Sequence, residues 1–591
     1  MPPPSMAAVK RPYVCLSCKL HSRSIYNPSS PLQRAFVISS LRHLSSTAVN
    51  TSRPPTAPKP TPDIKHIREN AARYSQNCID RSYHDLSQYP YEIQRLSEES
   101  RELQHALRRP QRQIKQIESS IAKLMTACSN THYADLQEKL KHQQNAETEL
   151  STLRLSAQRL KDESHHLATT HASNAKEIER LALSLPNLTS PETPPGAEPR
   201  LINYINYDPN TPASLPTHTT SHVTIGTALN LLNFTSASLT SGWGWYYLTN
   251  EAALLEQALI QYALSVALRR GWQVVSPPSL VYSHIAHACG FQPRDAHNEQ
   301  QIYHIEQSER DIGRGKPGRC LAGTAEIPLA AMFAGQEMGG RGKGGGKKSG
   351  CHQLPVRMVG VSRCFRAEAG ARGADTRGLY RVHEFTKVEL FGWAMPDSDV
   401  EAGGAPAAST STSPSMTEGR EGGSGTVTAT TLFSEILELQ TEILTALNLP
   451  CRVLEMPAHD LGASAARKRD IEVLFPSRIA SHSSKTENAT SDATDNDNND
   501  TLDLESGWGE VTSASVCTDY QTRRLGTRLK SGNGGAGKFP HTVNGTAMAV
   551  PRIIAALLEH GWDEKKGVVV LPEVLRGWMG GRCVIGREME S

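Results

Sequence analysis

No apolar run in this 591-residue chain approaches the ~18 residues a helix needs to cross a bilayer, so no transmembrane helix is expected. Cysteine is sparse and scattered. Cys15-x-x-Cys18 is the one close pair among eleven and has no second pair or histidine cluster beside it. No zinc is therefore expected, and the thiols read as reduced. An excess of one charge is also missing. The 63 Lys and Arg against 60 Asp and Glu leave +3, which does not announce a nucleic-acid binder, so any basic surface must be local. Acidic residues are absent from positions 1–62, which carry Lys10, Arg11, Lys19, Arg23, Arg34, Arg42, Arg53 and Lys59 among many serines. The stretch from Arg34 to Leu44 suits a short basic amphipathic helix. That is the composition of a mitochondrial transit peptide. Residues 1–62 are expected to be a disordered leader that addresses the chain to the mitochondrial matrix and takes Cys15 and Cys18 with it. A cytosolic form is compatible with the same sequence.

The length calls for two or three domains. From about Asp63 to Leu185 the pattern is helical. Ile93, Leu96, Leu103, Leu107, Ile114, Ile117, Ile121 and Leu124 recur at steps of three, four and seven. Leu136, Leu140, Leu150, Leu153, Leu160, Leu167, Ile178, Leu181 and Leu185 follow after a polar break at Ser129–His132. Two such helices with a short connection read as an antiparallel coiled-coil hairpin. With about 35–50 residues per helix it spans roughly 50–75 Å. Pro110 falls inside the first helix and should kink it. The expected organisation is therefore a helical arm over 63–190, a Pro-rich linker over 191–224 and a body over 225–591.

The body alternates helices with antiparallel strand pairs, an α+β pattern. Four stretches lack the apolar residues that would offset their ordering entropy and read as inserts: 339–350, 401–430, 480–505 and 531–538. Between Cys364 and Glu389 the chain shows strand periodicity. Val382, Glu384, Thr386 and Val388 alternate with Arg381, His383, Phe385, Lys387 and Glu389. With Met358–Glu368 this makes two antiparallel strands joined by a loop over 369–380. One face collects Arg366, Glu368, Arg381, Phe385 and Glu389. That set is costly to bury and well suited to a nucleoside triphosphate beside an amine-bearing substrate. The alternative is a charged, solvated hairpin.

Other segments carry weaker signals. Trp245–Leu248, a helix from Ala252 to Arg270 and a strand from Gly271 ending at Pro277-Pro278 form a common arrangement. In Gly323-Thr324-Ala325-Glu326 the threonine suits a helix cap. Glu510-Val511-Thr512-Ser513 puts a carboxylate and a hydroxyl three apart, oxygen donors of the kind Mg²⁺ takes beside phosphates and waters. The segment His541–Arg552 leads into an apolar helix, with Pro551 tolerable in its first turn.

Together these stretches resemble the class II aminoacyl-tRNA synthetases, and specifically the seryl-tRNA synthetase family. The resemblance rests on Phe365-Arg366-x-Glu368, the loop Asp375–Leu379 and Arg381-x-His-x-Phe-x-Lys-x-Glu389 as motif 2, Trp245–Pro278 as motif 1, and His541–Arg552 with the helix after it as motif 3. A helical arm with the exit Leu185-Pro-Asn-Leu188 completes it. The resemblance implies an antiparallel β-sheet catalytic domain flanked by helices, carrying the coiled-coil arm and pairing as a homodimer through motif 1. It implies a reaction that joins L-serine to tRNA(Ser) in two steps, through seryl-adenylate, with Mg²⁺ accompanying ATP. It also implies a role for each matching residue. Arg366, Glu389 and Arg552 are the catalytic set. Arg366 takes the charge at the α-phosphate. Ala367 adjoins the ATP, Glu368 and Val382 read the adenine side, Phe385 stacks beneath the base, and Arg381 meets the terminal phosphates. Arg552 stacks on the adenine and reaches the γ-phosphate. Glu510 and Ser513 hold Mg²⁺, with Val511 and Thr512 along the ATP. Thr324, Ala325 and Glu326 meet serine, Glu326 on its amine. Glu389 accepts the serine hydroxyl, with Thr546 nearby. Thr512 and Thr546 stand where the family usually has serine, which leaves the Thr546 contact open. By the same resemblance the arm reads tRNA, with Arg101, Arg108, Arg109, Arg112, Lys115, Lys139, Lys141, Arg154, Arg159 and Lys161 available to phosphates. Two other readings stay open: a relative that charges a different carrier, and a non-catalytic binding protein. The first is disfavoured by the intact arm. The second is disfavoured by the presence of Arg366, Glu368, Glu510 and Arg552.

Overall fold

The computed structural model describes residues 52–130, 136–211, 218–291, 301–339, 352–368, 378–397, 427–479, 504–530 and 537–586; the side chains of 127–143 lie outside the description. Residues 1–51, most of each expected insert, the loop stretch 369–377, Lys139 and Lys141 therefore fall outside it.

The arm consists of α1 (Tyr89–Asn130) and α2 (Leu136–Ser184). Its apolar set is buried or half-buried at three- and four-residue steps, with Ile93, Leu96, Ile178 and Leu181 buried at the root and Leu103, Leu107, Ile114 and Leu160 half-covered further out. A two-helix seam can cover only one stripe per helix, so the remaining faces stay in water. Glu118 reaches Lys161 across the seam at 3.4 Å. α1 runs through Pro110 to Asn130, so the missing N–H does not end it.

Two short helices, Ile64–Glu69 and Ala71–Asp80, pack at the arm's root. There Ile67, Cys78, Tyr83, Ile93, Leu96, Ile178, Leu181 and Leu185 form their own apolar cluster, which also takes in Ala463 of the body. The Leu185–Leu188 exit is bonded into the body. Asn187 donates through Nδ2 to the Ser464 and Cys517 carbonyls, each at 2.9 Å, and the fully buried Arg81 donates to the Asn187 and Gly462 carbonyls.

The body is built on an eight-stranded sheet. Its strands are β1 (Arg200–Ile205), β2 (Gln273–Val275), β3 (Val356–Phe365), β4 (Glu384–Ala394), β5 (Cys451–Glu455), β6 (Arg467–Leu474), β7 (Trp508–Thr518) and β8 (His541–Ala549). They lie in the order β1-β5-β6-β7-β8-β4-β3-β2, antiparallel throughout except for β2 beside β3. Helices α3 (Asn250–Arg269), α4 (Ala429–Ala446) and α5 (Val550–His560) pack on it. In α4, Leu432, Phe433, Ile436, Leu439, Ile443 and Leu444 keep helical spacing and are buried, each contributing about 1.5–3 kcal/mol. Gly392 and Gly545 let α4 lie close, because a Cβ at either would meet Leu432 or Ile436 at 2.5 Å.

Three expectations need correction. The linker contains β1, an edge strand paired with β5, whose single short run was masked by flanking Pro and Gly. Residues 52–62, read with the leader, are packed on the body. Thr61 donates its N–H to the Arg523 carbonyl at 2.9 Å, and Pro58 fills the space over Gly526, a helix-end glycine at φ +68°. The flanks of the inserts are also structured. Thr428 caps α4, Glu505 pairs with Arg452 at 2.7 Å, and the Lys538 carbonyl accepts from the Leu529 N–H at 2.6 Å.

Candidate active site

The hairpin strands differ in extent from the expected 358–368 and 381–389. β4 starts at Glu384 and runs on to Ala394, where burial on both faces removes the alternation that periodicity reads. The ladder sets Phe385 opposite Cys364, Lys387 opposite Ser362 and Glu389 opposite Gly360, so Phe385, Lys387 and Glu389 share one face. Beyond Val388 the register with β8 slips by one. Val388 faces Met548 but Glu389 faces Thr546, leaving Ala547 as a bulge residue. Glu389 and Lys387 are both buried and form an ion pair.

A second carboxylate approaches from another element. Glu326 opens the short helix Glu326–Ala331, preceded by the buried Thr324 and Ala325. Thr324 Oγ1 accepts from the Glu326 N–H at 3.3 Å, but Ala325 holds the cap position and the helix has no side-chain cap, so Thr324 is not the cap its sequence suggests. Gln521 donates to Glu326 Oε1 at 2.6 Å, and Thr542 Oγ1 donates to Gln521 at 2.7 Å. Burial pushes the Glu326 carboxyl up to about 7. The Glu389 charge adds to this, while Lys387, Gln521 and Arg366 pull the other way.

Arg366, Ala367, Glu368, Arg381 and Val382 lie just off the ladder, at the mouth of the hairpin. Arg366 donates its backbone N–H to the His383 carbonyl at 2.9 Å, holds Nε 3.4 Å from the Gly323 carbonyl and lies 5.2 Å over the Phe385 ring. The Ala367 N–H bonds the Gln301 carbonyl. Glu368 sits at φ +48°, a left-handed conformation that costs a non-glycine residue energy and is found mostly at ligand sites. Arg381 lies 3.9 Å from it. Val382 packs with Cys364 and Phe385.

Opposite lies β7. Its register with β6 slips between Ile471 and Glu472, so Val511 is an extra residue and Glu510 and Ser513 fall on the same half-exposed face. Val511 is buried in the main core. Thr512 is buried too, its hydroxyl donating to the Thr546 carbonyl and accepting from Gln440 at 3.0 Å. The side chains of both point away from the expected ATP face, leaving them only their backbone to offer. Glu510 is bound by Arg552, whose Nη1 donates to its Oε2 at 3.1 Å and its carbonyl at 2.8 Å. Burial would raise the Glu510 carboxyl, but Lys468, Arg552 and Arg366 hold it well below the usual carboxylate range. Arg552 also rests 4.7 Å from the Tyr380 ring centroid and donates to the Tyr380 carbonyl.

The expected residues thus form two groups. Glu326, Glu389, Thr324 and Thr546 line one side, Glu510, Ser513 and Arg552 the other. Arg366 acts electrostatically on carboxylates of both. Sequence reading missed the supports. Lys387 was seen as one strand charge among several, although a lysine amid buried neighbours was the available signal. Gln521, which orients Glu326, carried none. Neither did His222 and Glu559. His222 Nδ1 donates to Glu559 at 2.7 Å while Nε2 accepts the Leu379 N–H at 3.2 Å, which fixes the backbone leading into Tyr380. Gly378 is required there, because a Cβ would strike His222 Nε2 at 2.2 Å.

The family model of the tRNA synthetase class II core domain (G, H, P, S and T) matches residues 320–402 and 425–561. The chain is 35% identical over 534 residues to the mitochondrial serine–tRNA ligase of Saccharomyces cerevisiae, covering 89% of this chain and 96% of that one. It is 35% identical to the serine–tRNA ligase of Rhodopirellula baltica over 68% of this chain and 76% of the relative. Among solved structures it matches seryl-tRNA synthetase from Pyrococcus horikoshii complexed with ATP. The TM-score is 0.64 at 26% identity, covering 89% of this chain and 100% of that one. Arm and catalytic body are both within the span that the yeast protein shares, and the chain belongs to the serine–tRNA ligases of the class II tRNA synthetases.

Proposed function

We propose that the chain joins serine to the α-phosphate of ATP and passes the seryl group to the 3′ end of tRNA(Ser) in mitochondria. Serine's carboxylate oxygen attacks the α-phosphorus and pyrophosphate leaves. The terminal ribose hydroxyl of the tRNA then attacks the acyl carbon and AMP leaves. The protein's task is placing anions in line and offsetting the charge that builds between them. The observation that carries this is the position of Arg366 between two sets of carboxylates. Glu326 holds the serine ammonium. Glu389, with one face committed to Lys387, accepts the serine hydroxyl beside Thr546. A buried carboxylate left without that hydroxyl disfavours alanine by up to ~10⁴–10⁵. Phe385 and Val382 supply the adenine floor, Arg381 and Arg552 the triphosphate cations, and Glu368 the adenine edge.

Glu510 and Ser513 fit Mg²⁺. One is an ionised carboxylate, the other a hydroxyl on the same face, and both are hard oxygen donors that leave room for phosphate oxygens and water. Mg²⁺ bound with ATP neutralises phosphate charge. Pyrophosphate exchange measured with serine, alanine, threonine and glycine, followed by charging of mitochondrial RNA, tests the assignment. Exchange driven equally by alanine would refute it.

Serine binding should release a proton from Glu326. Burial and the Glu389 charge push its carboxyl up to about 7, and it must be ionised to face an ammonium. Serine affinity should therefore be flat above that value and fall about tenfold per pH unit below it. Serine titrations across this range check the slope, and Glu326→Gln should flatten it.

The mitochondrial names of the yeast and mouse relatives, with the acid-free leader, support a mitochondrial site of action. A homodimer through the motif 1 face is supported by exposed Leu268, Val274, Leu280, Tyr282 and Met332 around edge strand β2. Leu280, Tyr282 and Met332 line an apolar groove of about 670 Å³. Val274→Asp with Tyr282→Arg should give a monomer in sedimentation, and an unchanged dimer would move the interface elsewhere.

A further inference from the structure

A second cluster of basic side chains lies at the root of the arm, and its lining includes none of the carboxylates and arginines of the proposed active site. Arg53 from the packed N-terminal segment, Arg180 from α2, His284 and His287 from the short helix Ser283–Ala288, and Arg524 from the helix Tyr520–Leu525 line a cavity of about 290 Å³. The other linings are Leu183, Ser184 and Ala288, and no carboxylate is among them. Three chain segments from arm and body thus turn guanidinium groups toward one space, and a fourth adds two imidazoles.

These groups are not fully offset by their neighbours. Glu177 takes Nε and Nη2 of Arg180, at 2.9 and 2.6 Å, and Glu179 acts on Arg53 from outside the lining. Asp519, which acts on Arg524, is itself bonded to Arg523 at 2.6 Å. Arg524 is 8% exposed, lies 3.3 Å from the Tyr520 ring centroid and spends Nη1 and Nη2 on the Tyr520, Leu183 and Leu185 carbonyls, while its Nε–H has no hydrogen-bond partner among the described residues. His284 is 7% exposed and its Nδ1 has none among the described residues either. Burial pushes both histidines down to about 4, His284 further by Arg53. Guanidinium groups gathered round a cavity with unspent buried nitrogens carry a desolvation cost, which an anion with several acceptor oxygens would relieve.

We infer that this cavity binds a phosphate group, either free as phosphate or diphosphate or carried on RNA, and that the bound group ties the arm's root to the catalytic body. The volume holds a tetrahedral oxyanion or two. The site does not depend on the serine-activation reading, and none of its residues serves that site.

The full chain is titrated with inorganic phosphate against chloride at equal ionic strength, following the thermal midpoint, beside Arg53→Gln and His284→Gln. Wild type should gain about 2 °C near saturation and the variants should lose most of that gain. Serine-dependent exchange should be unchanged in both, so loss of exchange would point to the other site. Binding of tRNA across a salt series separates the two sources. A slope smaller by about one in Arg53→Gln assigns the site to an RNA phosphate. An unchanged slope with a lost phosphate response assigns it to a free anion. If His284→Gln fails to fold, Arg53→Gln on the peripheral segment carries the comparison alone. An equal phosphate response in wild type and variant, together with an equal slope, overturns the inference.

Discussion

Arg366→Ala should lower serine-dependent pyrophosphate exchange by about 10³-fold or more, the scale of losing a main transition-state charge partner in a water-poor site. Arg366 lies over Phe385, within electrostatic reach of Glu326 and Glu389's pocket on one side and of Glu510 on the other. If the serine carboxylate and the α-phosphate meet there, two anions must approach and a third charge builds between them. Lys387 is already committed to Glu389, and Arg552 to Glu510 and Tyr380. Arg366 is less fixed than either of these, held by one 3.4 Å contact to a carbonyl and by a ring. Its removal should therefore cost little stability, within about 1 kcal/mol, so a folded but inactive variant is expected. Arg366→Lys keeps the charge but loses the planar fork, and should recover only part of the rate. Exchange at near wild-type rate in a folded Arg366→Ala protein would remove this residue from the chemistry.

The legibility of this chain divides by how local each signal is. The arm was readable because a 3-4 apolar repeat over dozens of residues has few other solutions. The polar hairpin was readable because Arg366, Glu368, Phe385 and Glu389 fall within one short stretch. What stayed hidden needs register or distance. The bulges at Val511 and Ala547 decide which side chains face the site, and a one-residue slip leaves no mark in composition. Thr512, expected along the ATP, therefore spends its hydroxyl on a core bond. His222 and Glu559 are 337 residues apart in sequence, and only folding makes them a pair. β1 was lost in a linker because an isolated edge strand lacks the hairpin partner that sequence patterns rely on. Leu390–Ala394 were lost for the opposite reason, since burial on both faces erases alternation.

Replacing residues 101–170 by a short Gly/Ser turn should leave serine-dependent exchange intact and reduce charging of tRNA by about 10³-fold, the loss expected when several phosphate contacts are removed together. The cut points come from the root cluster. Ile93, Leu96, Ile178, Leu181 and Leu185 pack with Ile67, Cys78 and Tyr83, and Asn187 and Arg81 bond that cluster to the body. A deletion running to Leu181 would unpick this core and confuse misfolding with lost recognition. Stopping at 101 and 170 keeps it, and α1 and α2 already face each other there as a seam. The removed part holds the exposed Arg101, Arg108, Arg109, Arg112, Lys115, Arg154, Arg159 and Lys161, none of which is near Arg366 or Glu510 in the sheet. Exchange needs only serine and ATP, whereas charging also needs the tRNA end delivered, so the two rates separate the two bodies. The surviving tRNA affinity should also depend less steeply on salt, because fewer cations are displaced from the RNA on binding. Charging at full rate by the shortened chain would mean that the body alone reads the tRNA, and the exposed bases on the arm would then be ordinary solvated coiled-coil flanks.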